Sequence, residues 1–274
     1  MPHNRNMRVT VLGGGTIHGQ FMADLARISG SDVELSTVVP TTNDLFAFGL
    51  KVCPDLDAIL ATFTRKIGDA TNQVSSILRT LEVAPTWLEL DDITVGINLV
   101  RNEMMLAGYS LTEVTAAIAK KLGSEVAILP MSNERIEQHI VIADSAGQRA
   151  VHVLDYLANC TDEDPLDQVF IGLDAAVATP EAISAITEAD LLIVGPSSPT
   201  LHIDPMLRLP SLYKAIHDST APVLGVSHKQ RDNEKLRELA GGAEDPREHF
   251  AGFVTKWASG TAAEVLAEGR ELIK

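Results

Sequence analysis

Gly13, Gly14 and Gly15 follow directly on the apolar run 9–12, and Thr16 comes next. A turn of this composition lets backbone N–H groups approach a phosphate, and a helix starting there adds the positive end of its dipole. The same glycines also suit a tight strand-to-helix connection that binds nothing. The spacing G-x-G-x-x-x-G puts His18 where a dinucleotide fingerprint has its third glycine. A nicotinamide site on Gly13, Gly15 and Gly19 therefore stands as an alternative, with Glu34 either a ribose ligand or an ordinary surface acid. Two more polar stretches close apolar runs: Pro40-Thr41-Thr42-Asn43-Asp44 after 33–39, and Gly195-Pro196-Ser197-Ser198-Pro199 after 191–194. Open α/β sheets collect their ligands at the carboxyl ends of strands, where these stretches fall. Ser227-His228, after 223–226, is a further such end.

The elements that must position these loops can be read from hydrophobic periodicity. Residues 9–12, 33–39, 191–194 and 223–226 read as buried strands, and Phe21, Leu25 and Ile28 recur at helical spacing after the glycines. From 57 to 122 the pattern is almost wholly helical. Ile97, Val100, Met104 and Ala107 share one face, and Leu111, Val114, Ile118 and Leu122 share the next, which Ser110 and Glu113 open as a capping box. Strands resume at 125–129, and 140–143 with 151–154 predict a hairpin around Asp144-Ser145-Ala146-Gly147. The acidic run 161–165 reads as a solvated loop, 229–249 as a charged surface helix or excursion, and Thr261 opens a last helix.

Composition narrows the function classes. A formal net charge of -15 without a basic patch argues against nucleic acid. Cys53 and Cys160 lack metal-site or disulfide spacing, and Cys53 is expected to be buried and inert, so a reducing cytoplasm is the expected home. No apolar run approaches the ~18 residues that a membrane span needs. Aromatics make up only 4% of the chain, which draws attention to Phe46, Phe48, Trp87 and Trp257. His18, His202 and His228 fall near the expected ligand loops and read as solvated loop histidines or as replacement contacts.

Taken in order, the glycine loop, Gly49-Leu50-Lys51-Val52-Cys53-Pro54-Asp55-Leu56-Asp57, the stretch from Trp87 to Glu103, Gly108-Tyr109-Ser110-Leu111, Ile128-Leu129-Pro130-Met131-Ser132-Asn133-Glu134-Arg135 and Gly195-Pro196-Ser197-Ser198-Pro199 resemble the CofD family of 2-phospho-L-lactate transferases. The resemblance implies a Rossmann-like α/β fold with a mostly parallel sheet: one domain over 1–274, a helical insertion at about 57–123, and a homodimer. It also implies a reaction. The terminal hydroxyl of a deazaflavin acceptor attacks the phosphorus of a guanine or other nucleotide-linked phospho-acid, and a nucleoside monophosphate leaves with the help of Mg2+.

Carried over position by position, the resemblance places Gly14, Gly15 and Thr16 at the donor phosphates, with Ser197 and Ser198 near the nucleotide. Asp44 and Asp55 become the catalytic acids, Asn43 and Asp55 the metal ligands, and Asp57 a support for that turn. Phe46, Phe48, Asp92 and Arg135 are assigned to the acceptor, with Asp92 equally suited to capping a helix. Arg101 either contacts an anion or forms a salt bridge. Departures from the family pattern cluster at strand ends: Asn43 replaces an aspartate, Ile17 and His18 replace glycines, Gln20 replaces a basic residue, and Phe46 and Phe48 replace a tryptophan and a histidine. Asparagine still offers magnesium a carbonyl oxygen but cannot act as a base. Such changes fit a transferase with altered specificity, or a paralogue that binds a nucleotide or partners an active homologue without turnover.

Overall fold

The computed structural model describes residues 5–64, 67–145, 147–227, 233–242, 245–250 and 252–273. Short β-branched runs make β1 (Met7–Leu12) and β2 (Val33–Val39), and a small hairpin follows as β3 (Leu45–Ala47) and β4 (Leu50–Val52). After β5 (Ala127–Pro130) come β6 (Glu137–Asp144), β7 (Gly147–His152) and β8 (Pro165–Ile171), then β9 (Leu191–Val194), β10 (Val223–Val226) and β11 (Lys256–Ala258). The main sheet runs β11-β10-β9-β1-β2-β5, and every pairing in it is parallel. The antiparallel strands β7-β6-β8 form a separate sheet.

Helices cover both faces of the main sheet. The first is α1 (Gly15–Ile28), and α2 (Pro54–Ala61), α3 (Gln73–Thr80), α4 (Asp92–Leu106) and α5 (Leu111–Leu122) make up the region read as an insertion. Then come α6 (Val153–Asn159), α7 (Pro180–Thr187), α8 (Asp204–Leu207), α9 (Pro210–Asp218), α10 (Glu234–Leu239), α11 (Pro246–His249) and α12 (Ala262–Leu272). Alternation along the strands sends Val9, Val11, Leu35 and Ile193 to one core with Met22, Leu25, Leu56, Ile59, Val114 and Val265. Leu12, Val38, Leu192 and Val194 go to the other core with Ile186, Met206, Leu212 and Ile216. Each such side chain contributes about 1.5–3 kcal/mol through burial. Gly19 serves this packing too: a Cβ there would meet the Ala58 carbonyl oxygen at 2.7 Å, so α1 and α2 cross closely only because it is glycine.

Strand order reverses at β1. The chain moves from β1 to β2 and β5 on one side, then returns to β9, β10 and β11 on the other. A crevice opens between β1 and β9 at their carboxyl ends, and the glycine loop and the 195–199 loop both begin there.

Several expectations need correction. Val153 and Leu154 do not extend a strand: β7 stops at His152, whose ring caps α6 by accepting from the Leu154 N–H at 3.2 Å. Pro165 begins β8 rather than ending an acidic loop, and the β3/β4 hairpin and β11 had no clear strand signature. The hairpin bends through Phe48 and Gly49, both in the left-handed region at φ 56° and 75°. Such a turn usually draws glycine or asparagine, so a phenylalanine there conceals it.

Candidate active site at the strand crossover

The first wall of the site is the start of α1. Gly14 is the N-cap in extended geometry, no side chain caps the helix, and no acid lies in its first turn. The leading N–H groups of α1 are thus without the capping oxygen that most helices provide, as an anion site requires. Gly15, at φ 81°, occupies backbone space that other residues rarely enter.

The second wall grows from β2. After Val39 the chain turns through Thr41 to Asp44, where the Asp44 N–H donates to the Thr41 carbonyl at 3.3 Å. Threading through β3 and β4, it reaches Pro54 at the first turn of α2, where proline suits the helix start and lacks an N–H to satisfy. Asp55 and Asp57 sit in that first turn, buried although charged. The contact between the two walls is direct. A Cβ on Gly14 would lie 2.8 Å from Asp55 Oδ1 and 2.9 Å from Pro40 Cγ.

Each Asp55 oxygen has a nitrogen neighbour. Oδ1 lies 3.0 Å from His202 Nε2, and Oδ2 accepts from Asn43 Nδ2 at 2.9 Å. The Asn43 amide nitrogen also donates to the Leu201 carbonyl at 3.1 Å, which fixes the orientation of the amide. Asn43 Oδ1 is then left buried without a partner, as are Asp44 Oδ1 and the Thr41 and Thr42 hydroxyls. Asp44 Oδ2, by contrast, takes Lys51 Nζ at 3.0 Å and the Cys53 thiol at 3.1 Å. Burial pushes the Asp44 carboxyl up from its ordinary value, and Lys51 partly offsets this. Burial likewise pushes the Cys53 thiol well up, in keeping with a buried, unreactive cysteine.

Ser197 and Ser198 reach the site but turn their hydroxyls inward. Ser197 Oγ accepts from the Gly14 N–H at 3.0 Å, and Ser198 Oγ accepts from the Leu201 N–H at 3.1 Å. These contacts shape the loops, and the Ser198 backbone is itself engaged, its N–H donating to His202 Nδ1 at 3.1 Å and its carbonyl accepting from the His202 N–H at 3.1 Å. Thr16 is exposed at the helix start, as a phosphate contact requires. Phe46 and Arg135 are brought together: the ring is 55% exposed and the guanidinium lies 5.2 Å from its centroid. Phe48 is not with them. It turns the hairpin and packs against the cluster of Leu45, Val52 and Leu90.

Asp92 does not join the site either. One carboxylate oxygen accepts from the Val74 N–H at 3.0 Å and the other from Thr71 and the Gln73 N–H, so it holds the start of α3. The capping expected of it is done by Asp91, which accepts from the Thr94 N–H at 2.9 Å. Arg101 takes the salt-bridge alternative, fully buried against Asp57 with Nη2 2.5 Å from Oδ1. Glu34 pairs in register with Arg8 near the start of β2, at the opposite end of the strands from the glycine turn. That placement removes the ribose ligand from the nicotinamide alternative.

Two histidines expected in solvent are buried. His18 Nε2 lies 2.8 Å from Thr37 Oγ1, and its ring packs on Gly13 and Gly195, where a Cβ would come within 2.5 Å of Nδ1. Burial, reinforced by the nearby His202, lowers the pKa of His18 to about 3. His228 lies outside the described residues. Because unfolded histidine binds a proton near pH 6.5 and native His18 refuses it until about pH 3, stability must fall with acidification across that window. The expected contribution is about 2 kcal/mol lost between pH 7 and pH 5. Urea unfolding of the native protein and of His18→Met at both pH values reads it, and equal pH dependence in the two would contradict it.

A divalent cation has an oxygen donor set available: the Asn43 amide oxygen, Asp44 Oδ1 and the Asp55 carboxylate. The two unpartnered buried oxygens are what a site for a hard cation would leave exposed to the ion. Among the described residues no group of three or more His, Cys, Asp or Glu gathers as a metal site. Oxygen donors of this kind, one or two carboxylates with an amide oxygen, are those that magnesium accepts when water and phosphate oxygens fill its remaining positions. Sequence reasoning did not find Lys51, and it left His202 between a solvated loop histidine and a replacement contact. Lys51 lies in a strand segment without a clear signature, and His202 meets Asp55 only through tertiary folding.

Comparison with known proteins agrees with this geometry. Residues 9–250 match the family model described as 2-phospho-L-lactate transferase CofD. A phosphoenolpyruvate transferase of Kitasatospora aureofaciens is 34% identical over 232 residues, spanning 81% of this chain and 72% of the relative. One from Mycolicibacterium smegmatis is 32% identical over 240 residues, with 81% and 73% covered. Among solved structures, a UPF0052-family protein of Bacillus halodurans superposes with TM-score 0.63 at 17% identity, over 93% of this chain and 80% of that one. It shares the fold. No helix among the described residues is long and apolar enough to cross a membrane. With the family model matched over nearly the whole described sheet and transferases similar across most of their length, the chain belongs to the CofD family of phospho-transferases.

Proposed function

We propose that the protein transfers a phospho-acid from a guanosine-diphosphate-linked donor to the terminal hydroxyl of a deazaflavin acceptor. The relatives named for phosphoenolpyruvate favour an enolpyruvyl donor over a phospholactyl one. The acceptor oxygen forms a bond to the phosphorus that carries the acid, the bond from that phosphorus to the bridging oxygen breaks, and guanosine monophosphate leaves with the bonding electrons. The observation that carries this reading is the approach of Gly14 to Asp55 at the crossover, which sets uncapped helix amides beside a buried carboxylate.

In this reading the N–H groups of Gly15 and Thr16 hold the donor phosphates. Asp55 receives the hydroxyl proton, because it is the carboxylate that stands against the glycine loop, 2.8 Å from where a Cβ on Gly14 would lie. Asn43, Asp44 and Asp55 would hold magnesium, which would supply neutralising charge to the donor phosphates. Phe46, backed by Arg135, offers the flat surface on which a deazaflavin ring stacks. The test is chromatography of product after incubation with enolpyruvyl-diphosphoguanosine, a deazaflavin and magnesium. Magnesium-dependent release of guanosine monophosphate, matched by a deazaflavin that carries the enolpyruvyl phosphate as a diester, is expected. Thermal stabilisation by guanine nucleotide without turnover would overturn the transferase reading in favour of a nucleotide-binding paralogue.

A further inference from the structure

We propose that His202 is a positioning residue for Asp55, holding the carboxylate against the glycine loop through a fixed imidazole tautomer. The inference rests on the role given to Asp55 above. The 7% exposed ring is pinned at both nitrogens. Nδ1 accepts from the Ser198 N–H at 3.1 Å and so carries no proton. The proton is therefore on Nε2, which lies 3.0 Å from Asp55 Oδ1 and presents its positive N–H edge to that carboxylate. The ring edge also abuts the phosphate loop, since a Cβ on Gly15 would come within 3.0 Å of His202 Cε1.

A single side chain thus links the three loops of the site. It hangs from the π-helical turn Pro199–Ile203, takes its tautomer from the 195–199 loop, and orients the acid of α2 beside the start of α1. Asn43 performs the matching task on the other Asp55 oxygen. Groups that orient an acid or ligand in this way commonly matter by about 10–100-fold in activity.

The two nitrogens can be tested separately because two amides mimic them one at a time. His202→Asn places an oxygen where Nδ1 accepts from Ser198 but does not reach Asp55. His202→Gln reaches Asp55 with an N–H and gives up the Nδ1 position. Positioning of Asp55 predicts that His202→Asn lowers kcat about 10–100-fold with KM for the donor changed less than about threefold, while His202→Gln recovers most of kcat. Recovery by His202→Asn and not by His202→Gln would overturn the proposal and leave His202 a loop cap only. Melting curves on both variants confirm that the compared proteins are folded.

A readout independent of turnover comes from 15N-histidine-labelled protein, with the His202 signal identified by its loss in His202→Asn. A protonated Nε2 and bare Nδ1, with an Nε2 proton that moves upfield in Asp55→Asn, is the expected signature. The opposite tautomer, or a proton indifferent to Asp55→Asn, would overturn the proposal. If the native protein shows no transfer, the functional reading fails while this spectrum still decides whether His202 holds Asp55.

Discussion

Asp55→Asn should lower the rate of guanosine monophosphate release by about 10²–10⁴-fold, the range spanned by positioned acids and bases. The size follows from what an amide loses here. It cannot take a proton, and it carries no charge for a cation. The substitution also has a structural component that must be separated from the chemical one. Both Asp55 oxygens face donors, His202 Nε2 and Asn43 Nδ2. An asparagine at 55 must therefore turn its NH2 group onto one of them, at a cost of about 1–3 kcal/mol. A melting temperature lowered by a few degrees with a rate lowered a hundredfold or more is the expected pair of results. A rate within tenfold of the native protein would remove Asp55 from the chemistry. Asp44→Asn serves as the comparison, since Asp44 is placed at the cation and not at the hydroxyl proton, and it should raise the magnesium concentration needed for turnover.

How legible the molecule is from its sequence depends on the range of the interaction involved. The strands at 9–12, 33–39, 191–194 and 223–226 could be read because burial of both sheet faces imposes uninterrupted apolar runs. The capping box at Ser110 and Glu113 could be read because its bonds join residues three apart. β8 could not, because Pro165–Ile171 mixes polar and apolar residues with little full burial. Asp92 was ambiguous for a related reason: two adjacent acids stand at the start of α4, and only the fold shows that Asp91 takes the cap while Asp92 turns back to α3.

The site was legible as loops but not as bonds. Glycine at 14 announces a close approach without saying to what, and the partner is an aspartate some forty positions along the chain. His18 and His202 resemble solvated loop histidines because composition around them is polar. Their burial arises only when the ends of β1 and β9 come together. Resemblance to the family supplied the acids at 44 and 55 but could not supply His202 Nε2 or Lys51 Nζ as their partners.

Arg101→Met is expected to destabilise the fold by about 3–5 kcal/mol, the cost of leaving one member of a buried ion pair alone. Arg101 is fully buried, and its guanidinium grips both oxygens of Asp57, Nη2 at 2.5 Å and Nη1 at 3.3 Å. With the guanidinium gone, Asp57 Oδ2 retains only Asn98 Nδ2 at 3.1 Å and the Cys53 N–H at 3.4 Å, too few donors for a buried carboxylate. A chain of this size should then melt about 6–15 °C lower. Arg101→Lys should recover little, because one ammonium cannot reproduce a fork that spans two oxygens. Arg101→Met with Asp57→Leu should recover more than either single change predicts, since neither member of this pair is then left buried alone. The consequence reaches the site, because Asp57 lies two residues beyond Asp55 and its N–H closes the first turn of α2 onto the Cys53 carbonyl at 2.8 Å. Loosening that turn should weaken transfer at temperatures well below melting. An unchanged melting temperature in Arg101→Met would mean that Asp57 finds its counter-charge elsewhere.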